Sequence, residues 1–183
     1  MAVTDEMIHQ AIAKMAEQFP NEDKAKYDVL LKQMFQEGML PKEAMKVTQD
    51  QIEQVYARAY YQFQSGKYKD ASTIFKLLMM LDPFDARQPL GLASCFHKEK
   101  NYDLAAAFYM RSSVIDPTNP MPMYYASDCA RQLNDLVGVK VALDRVKFII
   151  GKNAQYSALL ARVDLALEAL EKEHDEILQK TKM

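Results

Sequence analysis

The chain has 183 residues, of which 49% are hydrophobic, so it can bury a core and is not predicted to be disordered. Only 5 Gly and 7 Pro are present among many good helix formers, which favours helices over a turn-rich β fold. The formal net charge of -2 comes without a dense Lys/Arg stripe, and no apolar run approaches the ~18 residues of a membrane span. Neither direct nucleic-acid binding nor a membrane partner is therefore expected.

The first 50 residues predict a helical extension. Residues 4–19 have the spacing of an amphipathic helix, which Pro20 ends. Its apolar stripe consists of Ile8, Ile12, Met15 and Phe19. A second helix is predicted over residues 22–37, with Gly38 as its C-terminal cap. Because an isolated helix of this length is marginal in water, we expect the stripe to be a dimerisation surface.

A capping box marks the start of the next long helix. After a short helical turn over residues 41–47, Thr48 and Gln51 stand at the spacing that lets side chain and backbone satisfy each other at a helix N-terminus. The first unit of the repeated region begins directly after this capping box, at Ile52.

The chain matches itself when it is shifted by 34 residues. The matched pairs are Tyr68 and Tyr102, Ala71 and Ala105, Phe75 and Tyr109, Asp82 and Asp116, and Pro83 and Pro117. The small Ala allows two helices to approach closely, and Asp-Pro ends the second helix. This period resembles the tetratricopeptide repeat, in which each unit is a helix pair that must stack on its neighbours.

Three units are predicted, over residues 52–85, 86–119 and 120–151. In the third unit, Leu136, Val139 and Gly151 replace the repeated Tyr, Ala and Pro, although the apolar spacing of its second helix persists. In the first unit, Arg58 and Gln62 occupy positions that this repeat usually fills with large apolar residues.

An amphipathic helix is predicted over residues 154–170, where it would cover the open end of the last repeat. Its apolar residues are Leu159, Leu160, Val163, Leu167 and Leu170. The charged residues 171–183 are expected to fray. The predicted fold is all-α: a helical extension (1–50), a solenoid of three tetratricopeptide helix pairs (51–151), and a capping helix with a charged tail (152–183).

No catalytic, cofactor or metal site is predicted. His9, His97 and His174 are far apart in the sequence, and neither an HExxH motif nor a Gly-rich phosphate loop occurs. Cys95 and Cys129 are 34 residues apart, so they occupy the same place in adjacent repeats. We interpret them as small buried residues in a reducing cytoplasm rather than redox thiols.

In tetratricopeptide repeats, the first helix of each unit lines a concave surface through its second, fifth, ninth, twelfth and thirteenth positions. The first unit places there Glu53, Tyr56, Tyr60, Phe63 and Gln64; the second Arg87, Leu90, Ser94, His97 and Lys98; the third Met121, Tyr124, Asp128, Arg131 and Gln132. An aromatic stripe of Tyr56, Tyr60 and Phe63 on this face suggests a peptide-binding groove. The alternative is that the stripe belongs to the core.

Two stretches resemble a known family more closely than the generic repeat does. Residues 52–68, from Ile52 to Tyr68, and residues 90–95, from Leu90 to Cys95, are similar to the class II chaperones of bacterial type III secretion. The resemblance implies a cytosolic chaperone that binds an extended segment of a translocator protein in the groove and keeps it soluble. It also implies dimerisation through N-terminal helices, although two predicted helices before Met39 make a longer extension than is typical.

Two other functions stay open. A general tetratricopeptide adapter that clamps a C-terminal carboxylate would want Lys and Asn where Tyr56 and Tyr60 stand. A regulator acting through a bound transcription factor is also compatible with the sequence.

Overall fold

The computed structural model describes residues 24–151 and 154–181, with the backbone alone for residues 24–28, 154, 174–178, 180 and 181. In this part of the chain, every regular element is a helix. The elements are α1 (Lys24–Phe35), α2 (Pro41–Ala44), α3 (Gln49–Gln64), α4 (Tyr68–Leu81), α5 (Arg87–Lys98), α6 (Tyr102–Ile115), α7 (Met121–Gln132), α8 (Leu136–Ile150), a 3-10 turn (Ala154–Tyr156) and α9 (Ser157–Thr181). The helix predicted over residues 4–19, with its stripe of Ile8, Ile12, Met15 and Phe19, lies outside the described residues.

Helices α3 to α8 form three consecutive pairs, each packed on the next. Helix α3 also contacts α5, so the first helices of neighbouring pairs lie side by side. The capping box at Thr48 is present, because its side chain accepts from the Gln51 backbone while Gln51 returns a bond to the Thr48 backbone. The predicted all-α solenoid is confirmed.

A left-handed residue stands between the two helices of every pair. Gly66 has φ +76°, Lys100 φ +60° and Asn134 φ +57°, and these three residues are spaced by the repeat period. After each one, a residue with similar backbone angles opens the second helix. The third unit therefore keeps the turn although it has lost the repeated Tyr and Pro, since Asn tolerates this conformation.

Small residues bring the helices of a pair together, as predicted. Ala71 and Ala105 are fully buried. Helix α4 ends at Leu81 and α6 at Ile115, each directly before its Asp-Pro. Helix α8 ends at Ile150, followed by Gly151 with φ +53° in place of the Pro.

The two ends of the solenoid are finished differently. Leu92 and Phe96 of the second unit pack in the core against the preceding pair, whereas the described part of the chain has no helix pair before Arg58 and Gln62, one repeat earlier. This explains the polar residues of the first unit. The extension is tied to this unit by α2, which contacts α4 and whose Lys42 forms an ion pair with Asp82.

The other end is closed by α9, which packs on α8. Val163 and Leu170 are buried there with Leu143 and Val146. The expectation that the chain frays from Glu171 is wrong as far as Thr181, because the helix continues to that residue. Charged residues with good helix propensity sustain it.

Candidate peptide-binding groove

The fifteen predicted groove residues share one face of α3, α5 and α7. Each of them is half-buried or exposed, whereas core positions of the same units, such as Ala59 and Phe75, are buried. Two ion pairs connect this face across the repeats: Glu53 of α3 with Arg87 of α5, and His97 of α5 with Asp128 of α7. These ion pairs connect predicted groove positions of neighbouring units, Glu53 with Arg87 and His97 with Asp128.

The structure divides the aromatic stripe of α3. Tyr56 packs edge-on against buried Phe75, with ring centroids 5.8 Å apart. Phe63 contacts Tyr68, with centroids 5.5 Å apart. Tyr60 is 50% exposed. Tyr56 and Phe63 therefore contribute one edge to the first-unit core and the other to the groove, while Tyr60 is the most available of the three.

Where the first two units meet, Arg87 contacts three partners. We call Glu53, Tyr56, Asp85 and Arg87 the first junction. The guanidinium Nη1 and Nη2 donate to the two Glu53 carboxylate oxygens at 3.0 and 2.6 Å. Nε and Nη2 donate to Asp85 at 3.0 and 2.6 Å. The guanidinium also lies over the Tyr56 ring, 4.9 Å from its centroid.

The ionisation states at the first junction follow from these contacts. The hydrogen bond from Arg87 lowers the pKa of Glu53 below its ordinary value. The hydrogen bonds to Asp85 and then Glu53 raise the pKa of Arg87. Desolvation raises the pKa of Tyr56. At neutral pH, one cation is shared by two carboxylates beside a neutral phenol.

A hydrogen-bonded network links the second and third units at other positions of the repeat. We call Ser94, His97, Tyr109, Asp128 and Cys129 the second junction. His97 Nε2 lies 3.0 Å from the Asp128 Oδ2, and His97 Nδ1 lies 3.3 Å from the Tyr109 hydroxyl and 3.8 Å from the Cys129 Sγ. The same hydroxyl lies 3.4 Å from the Ser94 Oγ. The network therefore links α5, α6 and α7.

Tyr109 is not among the predicted groove residues. Its ring is buried, yet its hydroxyl reaches His97. The one available signal was the Tyr that stands where the first unit has Phe75, because a buried Tyr hydroxyl usually finds a polar partner.

The two thiols are structural. Cys95 and Cys129 are both buried, as the sequence predicted. Burial raises the pKa of Cys95 to about 12 and that of Cys129 to about 11. Both thiols are protonated at neutral pH, and a redox role needs an accessible thiolate.

The remaining groove residues continue the surface. Leu90, Met121 and Tyr124 are half-buried, and Gln64, Lys98 and Gln132 are exposed at the ends of their helices. Arg131 forms an ion pair with Glu173 of α9, which the sequence did not predict because 42 residues separate them. Among the described side chains, no group of three or more could hold a metal ion, and no described helix is long and apolar enough to cross a membrane.

Three stacked helix pairs, with an aromatic stripe on the first helix, define a tetratricopeptide-repeat protein. A tetratricopeptide repeat family model matches residues 52–85. Low calcium response locus protein H of Yersinia pestis is 34% identical over 134 residues, which cover 71% of this chain and 80% of that protein.

Solved structures agree. The Yersinia enterocolitica type III secretion chaperone SycD in complex with a peptide of the translocator YopD matches with a TM-score of 0.66 and 34% identity, over 70% of this chain and 98% of that chain. PcrH in complex with the chaperone binding region of PopD matches with a TM-score of 0.66 and 34% identity, over 70% of this chain and 96% of that one. The chain belongs to the class II type III secretion chaperones, the translocator chaperones of tetratricopeptide type.

Proposed function

We propose that this chain binds hydrophobic translocator proteins in its concave groove and keeps them soluble until they are secreted. The observation that carries the proposal is the aromatic stripe of α3, which stays partly exposed although Tyr56 and Phe63 also pack against the first-unit core. The relatives support it, since SycD and PcrH are seen with segments of translocators.

An extended client segment would cross α3, α5 and α7 in turn. Tyr60 offers a large apolar face with few rotatable bonds, so little entropy is lost when it contacts the client. Tyr56 and Phe63 form the walls beside it, and Leu90 and Tyr124 continue the apolar track in the next two units. Binding of this kind needs anchoring surface and no chemical step, so we infer a non-catalytic protein that acts in the bacterial cytoplasm.

A carboxylate-clamping adapter is the less favoured function. Such a clamp needs cationic side chains available in the groove. Arg87 is shared by Glu53 and Asp85, and Arg131 pairs with Glu173. Both groove arginines are therefore neutralised from within the chain, which favours an apolar client over an acidic one.

Residues 1–50 form the assembly region in this proposal, residues 51–151 the groove and residues 152–183 the cap. One SycD structure is an alternative dimer, which supports homodimerisation, and we assign the interface to Ile8, Ile12, Met15 and Phe19. Light scattering should show a smaller mass when residues 1–20 are deleted, and an unchanged mass would contradict this assignment.

The groove is tested by Tyr60→Ala, with Tyr61→Ala as its matched control. Both residues are exposed tyrosines on α3, but Tyr61 lies outside the predicted groove positions and is 69% exposed. Tagged variants are expressed in the source cell and their clients identified by co-purification and mass spectrometry. We expect Tyr60→Ala to weaken client binding by about thirtyfold, equivalent to about 2 kcal/mol, with a near-normal melting temperature. Tyr61→Ala should bind normally.

Phe63→Ala separates the two roles of a half-buried aromatic. Because its ring also packs on Tyr68, we expect it to lower the melting temperature as well as binding. Normal capture of translocators by Tyr60→Ala, or equal losses in Tyr60→Ala and Tyr61→Ala, would refute the groove. Co-purification without any translocator would refute the function.

A further inference from the structure

We propose that Arg87 is a positioning residue for client binding, which fixes the ring of Tyr56 as a pre-formed wall of the groove. The inference rests on the proposed function and adds a role to a residue that does not itself have to contact the client. It follows from the way the Tyr56 ring is held on two sides.

On one side, the Tyr56 ring meets the edge of Phe75 at an interplanar angle of 70°. The ring's other contact is the Arg87 guanidinium, which lies 4.9 Å from the ring centroid. Phe75 is buried and cannot move freely. A ring held by a fixed aromatic and a fixed cation has lost its alternative rotamers before the client arrives, so binding does not have to order it.

The guanidinium is itself fixed. Two of its nitrogens donate to Glu53 and two to Asp85, so both carboxylates are gripped by a planar fork. Glu53 and Arg87 occupy the same position in consecutive repeats, which means that this fork also sets the spacing of α3 and α5. Lys has a single ammonium point charge. It lacks the flat fork that binds two carboxylates at its edge while its face lies over the ring.

Arg87 contributes more to client affinity than to stability under this hypothesis. Its side chain is 45% exposed and that of Glu53 is 44% exposed, so this ion pair contributes little to folding, whereas Asp85 is only 13% exposed and its pair with Arg87 contributes more. The protein offers a matched control in Arg145, whose guanidinium lies 5.2 Å from the Phe148 ring centroid, with both residues on α8 outside the groove-forming helices.

The experiment measures the affinity of Arg87→Met, Arg87→Lys and Arg145→Met for two fluorescent peptides. One is the chaperone binding region of PopD, and the other is the translocator segment captured by co-purification. Met keeps most of the apolar stem of Arg and removes the fork. We expect Arg87→Met to bind about tenfold more weakly, Arg87→Lys to recover only part of the loss, and Arg145→Met to bind like the wild type.

A double-mutant cycle with Tyr56→Ala distinguishes positioning from direct contact. If Arg87 acts through Tyr56, then adding Arg87→Met to Tyr56→Ala should cause no further loss of affinity. An equal tenfold loss in both backgrounds, or unchanged binding by Arg87→Met, would overturn the inference while the groove function stands. A wild-type chain that binds neither peptide would instead refute the function, and the role of Arg87 with it.

Discussion

Two contacts between neighbouring units use the same positions of the repeat and fill them differently. At the first, the ring of Phe75 faces Gly91, and a Cβ added there would lie 2.4 Å from two ring atoms. At the second, the equivalent pair is Tyr109 and Tyr125, with ring centroids 5.5 Å apart. At the first contact, the missing side chain of Gly91 makes room for the Phe75 ring. At the second, the rings of Tyr109 and Tyr125 lie beside each other.

The polar contacts between neighbouring units also differ. The first junction holds its helices by the exposed ion pair of Glu53 with Arg87, while the second uses the network from Tyr109 through His97 to Asp128. The repeat thus fixes backbone geometry without fixing chemistry. The candidate groove therefore has a part with the ion-paired Arg87 and a part with the hydrogen-bonded His97.

The largest effect on this comparison is expected from Gly91→Ala. The new methyl group would collide with the buried Phe75 ring, and we expect a loss of about 2 kcal/mol in the free energy of unfolding, because overpacking outweighs the better helix propensity of Ala. Thermal or urea unfolding measures it. Phe75→Leu in the same chain should restore part of the loss. A Gly91→Ala variant as stable as the wild type would mean that the first junction is not closed by this contact.

A smaller effect is expected when the hydroxyl groups are exchanged. Tyr109→Phe removes the group that contacts Ser94 and His97, which should cost about 1 kcal/mol in unfolding free energy. Phe75→Tyr adds a hydroxyl against Gly91 at the other junction, and we expect it to cost more, since the new group is buried beside a closed contact. Equal melting temperatures for the two variants would show that the junctions do not differ in polarity as described.

The smallest effect concerns the two thiols, each of which lies in a different core cluster. Cys95 packs with Phe75, and Cys129 with Tyr109. In Cys95→Ser and Cys129→Ser, which keep one thiol each, we expect slow native alkylation by iodoacetamide at pH 8. Burial excludes the reagent and raises the pKa of both thiols, so the folded chain offers little accessible thiolate. In urea, both rates should rise; rapid native alkylation of either thiol would contradict its burial.

The same pKa shifts set a direction for stability at high pH. Burial raises both thiol pKa values above the ordinary 9.0, so the unfolded chain loses these protons first as pH rises. Their contribution to stability is complete below about pH 9 and is lost progressively above it. Cys95→Ser should therefore show a shallower decline in melting temperature between pH 9 and 11 than the wild type.

Local signals predicted most of the elements well. The Thr48 capping box and the Asp-Pro helix ends depend on residues close in the chain, and the structure has them where the sequence placed them. The prediction that the chain frays after Glu171 was wrong, because it did not consider contacts with distant residues. Composition alone suggested fraying, whereas the helix continues to Thr181 and its Glu173 contacts a distant Arg131.

The sequence by itself determined the repeat, because a helix pair that cannot bury its own apolar face dictates stacking wherever the period recurs. It also predicted which residues share one face of each first helix, since helical spacing fixes that. Only the tertiary structure decided how those residues pair. The division of the Tyr56, Tyr60 and Phe63 stripe, and the grip of Arg87 on two carboxylates and a ring, depend on side-chain directions from different helices, which spacing along one chain does not specify.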